Sequence, residues 1–205
     1  GGEASEEERA MMTDLVRRIR AMTEREGLRR GRPILVAIRV PDSVEYSRAI
    51  GLDIEQWLQE GLVDLLSGTC YFQLNPWEYL VALGHKYDVP VYPSLSDSRV
   101  ISETRFQRRS LESYRGRAAN AWAAGADGIY IFNYFNPSGP IWRELGDPQA
   151  LKTKDKLYFL TVRNGPPDSY LKDGARFRTL PVVSPMNGHL LERGHRRIAL
   201  LVDRM

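Results

Sequence analysis

Residues 118–135 read AANAWAAGADGIYIFNYF. The run of small residues suits a helix that lies close against a sheet. Gly125 marks its end, and Asp127-Gly128 supplies a turn. Ile129-Tyr130-Ile131-Phe132 is then a continuous apolar run, the pattern of a parallel strand covered on both faces. Asn133 and Asn136 follow at its carboxyl end, the side on which parallel α/β folds bind ligands.

The same alternation extends towards the N-terminus. Residues 6–26 predict a charged amphipathic helix with Met11, Leu15, Ile19 and Met22 at helical spacing. Strands are expected at 33–40 (PILVAIRV), 62–67 and 89–95 (VPVYPSL), and helices at 53–61, 75–87 and 105–125. Asn75 is placed as the N-cap of the 75–87 helix, ahead of Pro76 in its first turn. Units of about 30 residues alternating in this way imply a parallel sheet of the (β/α)8-barrel or doubly wound kind. No Gly-x-Gly-x-x-Gly follows a strand and no Walker sequence is present, which disfavours a nucleotide cofactor and leaves none expected.

After Phe135 the pattern breaks at NPSGP (136–140). A short helix at 142–145 and a strand at 157–162 are expected, then short β-prone runs between Gly/Pro turns. A boundary near Asn164 divides an α/β part, 1–163, from a β-rich segment, 164–205, that resembles the start of a β-sandwich.

Composition narrows the class. The 205 residues carry 29 Lys and Arg against 26 Asp and Glu, a net charge of +3. With the basic residues scattered, nucleic acid is not an expected partner. No apolar run reaches the length of a membrane span, so no membrane partner is expected. Cys70 is the single cysteine, so no disulfide forms within the chain. The compartment is not fixed by a lone cysteine. His85, His189 and His195 are far apart and no ligand spacing is present, so no metal is expected.

Four pieces carry a family resemblance: RPILVAIRVPDS (32–43), GLDIEQWLQEGLVDLLSGTCY (51–71), YDVPVYPSL (87–95) and YRGRAANAWAAGADGIYIFNYF (114–135). They are similar to strands five to eight, with their helices, of family 10 glycosyl hydrolase-like (β/α)8 barrels. The resemblance runs over roughly residues 10–163. It implies the C-terminal half of a TIM-type barrel followed by a short β-rich segment. It also implies a carbohydrate partner, with hydrolysis of O-glycosidic bonds in a poly- or oligosaccharide. The alternative is a non-catalytic carbohydrate-binding or scaffold barrel. The acid that such enzymes carry on strand four has no counterpart here, so the chain alone is expected to be inactive. Four strands would leave two open edges, through which the chain could associate with itself.

Glycoside hydrolysis needs two carboxyl groups about 5 to 10 Å apart. The candidates at strand ends are Asp42 and Asp97, with Glu103 further along the same loop. Asp42 in Pro-Asp-Ser is also readable as a turn residue, and Asp97 as a loop cap among its neighbouring hydroxyls. Arg39, Tyr71, Ser94, Asn133, Tyr134 and Trp142 are the expected sugar contacts, since rings stack on sugar C–H faces and polar groups bond hydroxyls. Tyr92 and Tyr130, within strands, are expected in the barrel core.

Overall fold

The computed structural model describes residues 2–69, 71–96, 109–158 and 167–180. The chain is mixed α/β with short parallel strands. In order come α1 (Glu6–Arg30), β1 (Ala37–Val40), α2 (Val44–Ala49), α3 (Ile54–Gln59), β2 (Leu65–Gly68), α4 (Trp77–His85), β3 (Val91–Tyr92), β4 (Ser94–Leu95), α5 (Leu111–Ala123), β5 (Tyr130–Ile131), α6 (Ile141–Glu144) and α7 (Pro148–Lys152). Two 3-10 helices, Pro167–Ser169 and Gly174–Phe177, follow.

The strands pair as β1-β2-β3 and as β4-β5, all parallel. The expected single strand at 89–95 is thus divided at Pro93. Proline has no N–H to give a ladder, and the strand changes partner there: Leu66 pairs with Val91 before it, Leu95 with Ile131 after it. Two small sheets stand where a continuous four-stranded half-barrel sheet was expected. The expected strand at 157–162 does not begin at Leu157 or Tyr158, and the rest of it lies outside the described residues. The β-prone runs at 180–183 and 197–202 lie outside them beyond Leu180.

Several boundaries also shift. Asn75 is not an N-cap: Pro76 holds that position without a side-chain cap bond. The Asn75 amide Nδ2 instead donates to the Asp42 carbonyl at 2.6 Å. Helix α2 was not anticipated, although its signal is present, because the Ser43 hydroxyl caps the Tyr46 N–H.

Alternation along the strands sorts their faces. Ile38, Val40, Leu66 and Val91 enter the main core with Ile54, Trp57, Trp77 and Leu80. Leu95 and Ile131 enter a second cluster with Tyr114 and Ala118. The other face holds Ala37, Arg39, Leu65, Ser67, Ser94 and Tyr130. Tyr130 is 42% exposed there, so neither its expected core position nor the expected double covering of its strand holds.

Ala118 and Ala121 are fully buried, as close packing of α5 requires, and Gly125 ends the helix at φ 88°. The tightest helix–strand approach is at Gly84 of α4. A Cβ there would overlap the Val91 side chain and sit 2.7 Å from the Val89 carbonyl oxygen. Gly84→Ala is therefore expected to destabilise by about 1–2 kcal/mol, the overpacking cost less the helix preference of alanine. An unchanged urea midpoint would show that α4 can move outward.

Helix α1 presents an unexpected face. It is held to the body mostly by polar groups. Trp57 donates to Thr13 at 2.8 Å, Arg20 reaches both Asp64 oxygens at 2.9 Å, and Arg17 pairs with Glu60. Val16 is its one buried large apolar residue. The stripe Met11, Leu15, Ile19, Met22 points to solvent instead.

Candidate functional site

Because the strands are parallel, their carboxyl ends lie on one side. Arg39 comes from β1, Tyr71 follows β2, and Phe132 follows β5. The Arg39 guanidinium carbon stands 4.0 Å from the Phe132 ring centroid and 5.3 Å from that of Tyr71. The two rings meet edge to face at 5.8 Å. Both contacts lie within cation–π range, and such stacking holds the guanidinium plane in a fixed orientation. Tyr170 extends the cluster by stacking on Tyr71 at 6.3 Å, and is itself 54% exposed. Beneath, the Ser67 hydroxyl bonds the Tyr92 carbonyl at 2.8 Å and lies 3.3 Å from the Ser94 hydroxyl. Ser94 is fully buried, and its hydroxyl meets Ser67 rather than solvent.

Asp42 is 1% exposed. Its carboxylate accepts from the Leu74 N–H at 3.0 and 3.1 Å and from the Asn75 N–H at 2.9 Å. Burial pushes its pKa up to about 6, against the lowering effect of those amides and of Arg178. This geometry makes Asp42 the anchor of the loop after β2. Asp97, Glu103, Cys70, His189 and His195 lie outside the described residues.

Tyr134 and Trp142 gather elsewhere. Tyr134 packs edge-on against Tyr114 at 6.0 Å and Trp142 at 5.6 Å, over Gly139. Trp142 donates its Nε1 hydrogen to the Asn136 carbonyl at 2.7 Å and remains 49% exposed. Asn133 is exposed beside the strand end in the left-handed region, φ 56°, a conformation asparagine tolerates. The structure thus brings together Arg39 and Tyr71, leaves Ser94 buried, and gives Tyr134 and Trp142 to a separate aromatic pair.

Models of known protein families give no match to this chain, and a search of curated proteins finds none either. Phe132, Ser67 and Tyr170 were not foreseen as site residues. Phe132 carried a signal: it ends the apolar run just before Asn133, at the strand terminus where ligands bind. Tyr170 carried none, since its approach depends on how residues 167–180 fold back. Arg117 is 1% exposed, donates to the Ser96 carbonyl at 2.9 Å and stacks 4.3 Å over Tyr114.

Proposed function

We propose that the chain is the C-terminal half of a glycoside hydrolase-like (β/α)8 barrel whose strand ends bind carbohydrate. The observation that carries this reading is the Arg39–Phe132–Tyr71 cluster at the carboxyl ends of β1, β2 and β5. Aromatic planes accept the C–H faces of sugar rings, and a stacked guanidinium offers fixed donors to ring hydroxyls. The sequential parallel βα units and the family resemblance support the barrel.

Between binding and hydrolysis, the geometry at Asp42 favours binding. A hydrolytic pair needs two carboxyl groups open to substrate, and both Asp42 oxygens are taken by backbone amides. Hydrolysis would require Asp97 together with a second acid.

Calorimetric titration against a panel of oligosaccharides tests the proposal. Arg39→Ala and Tyr71→Ala are each expected to weaken binding by more than about tenfold with an unchanged circular dichroism spectrum. Failure of the unaltered chain to bind any glycan would overturn it. Turnover that disappears in Asp97→Asn would instead establish the hydrolase.

A further inference from the structure

We propose that the outward face of α1 joins two copies of this chain, packed antiparallel about a two-fold axis. This goes beyond the carbohydrate reading and does not depend on it. It also differs from the expected association through open strand edges, because the contact is helical.

The stripe is unusually bare. Met11 is 60% exposed, Leu15 48%, Met22 48% and Ile19 36%. These residues cover about 17 Å of helix at 1.5 Å per residue. An apolar stripe ordinarily marks the face a helix buries. Here the opposite face, through Thr13, Val16, Arg20 and Thr23, already attaches α1 to the body. Among the described residues, the stripe stays exposed.

Charge selects the occupant. Along one edge of the stripe lie Glu7 and Asp14 towards the N-terminus, and Arg18 and Arg25 towards the C-terminus, all exposed. Their only ion pair among the described residues is a surface contact of Arg25 with Glu26 at 3.5 Å, weak enough to exchange. In an antiparallel helix pair, each edge faces the same edge of the other copy. Glu7 then meets Arg25 of the second copy, and Asp14 meets Arg18 of the second copy. The spacing agrees: Glu7 and Arg25 are equidistant from Val16 along the helix, and so are Asp14 and Arg18. Met11 and Met22 are centred half a residue away. One axis position therefore satisfies both the ionic and the apolar rows, as an isologous contact requires. A parallel pairing would set this edge against the opposite edge of the partner's stripe, and the four charges would then not meet one another.

Sedimentation equilibrium on the intact chain is expected to show a dimer, and Leu15→Glu with Met22→Glu a monomer of unchanged helicity. Two charge variants test the register. Glu7→Arg with Asp14→Arg, and Arg18→Glu with Arg25→Glu, should each weaken self-association by at least about tenfold. Mixed together, the two variants should associate as a heterodimer, since their edges become complementary. A chain that stays monomeric at every concentration overturns the proposal. So does a mixture that associates no better than its components, or a monomer that takes up an added amphipathic helix on this face.

Discussion

Tyr46→Ala is expected to lower stability by about 3–5 kcal/mol, the range for removing a large buried ring. Tyr46 is fully buried. Its ring meets Phe72 at 5.2 Å and Phe177 at 5.8 Å, both near edge-on. Its hydroxyl donates to the Pro167 carbonyl at 2.8 Å. The ring is thus the centre of a third cluster, with Leu74 and Leu171, that joins α2 and the loop after β2 to residues 167–180. Truncation opens a cavity and leaves the Pro167 carbonyl without that donor. Tyr46→Phe keeps the ring and removes only the hydroxyl, at about 1–2 kcal/mol. Urea unfolding gives the two values. Limited proteolysis should cut near residues 167–180 faster in Tyr46→Ala than in Tyr46→Phe. Equal costs for the two variants would show that the ring contributes little. Gly174 offers a check from the other side, because a Cβ there would sit 2.8 Å from the Tyr46 ring.

Asp42 should make stability fall as pH rises from about 4 to about 7, against the usual carboxylate trend. Its pKa in the folded chain is pushed up to about 6 from an ordinary 3.8, chiefly by burial. The folded state therefore holds this proton more tightly than the unfolded state does. Its contribution is most favourable below the unfolded pKa, declines as pH rises through the folded pKa, and is level above it. At 1.36 kcal/mol per unit, that difference is about 3 kcal/mol. Asp64 and Glu144, held below their ordinary values by arginine partners, act with the opposite sign at lower pH. Comparison with Asp42→Asn isolates the effect, since that variant keeps an acceptor for the Leu74 and Asn75 amides and does not titrate. Its stability relative to the unaltered chain should improve by about 2 kcal/mol between pH 4 and pH 7. A difference that stays constant across that range would mean that water reaches the carboxylate.

The loop that Asp42 holds also carries residues 167–180. The Leu74 carbonyl accepts from Thr179 N–H at 2.9 Å and Leu180 N–H at 3.1 Å, and the Thr179 hydroxyl bonds Asn75 Oδ1 at 2.8 Å. Asp42, Tyr46 and the Leu74–Asn75 backbone thus form one connected support. The aromatic rim built on Tyr71 and Tyr170 rests on it.

Local chemistry was legible in the sequence. The apolar runs located the strands, Gly125 stopped α5, small residues marked a helix that packs closely, and the parallel order followed from alternation. Arg39 and Tyr71 were readable as rim residues because strand ends are where parallel folds leave side chains exposed. These properties depend on a few neighbouring residues. Which face of α1 is buried, which way Tyr130 points, how Pro93 divides its strand between two partners, and whether Asp42 meets solvent or the Leu74 amide were decided only by the tertiary structure. Each is a choice among partners distant in the chain, and periodicity cannot distinguish a stripe that meets the core from one that faces solvent.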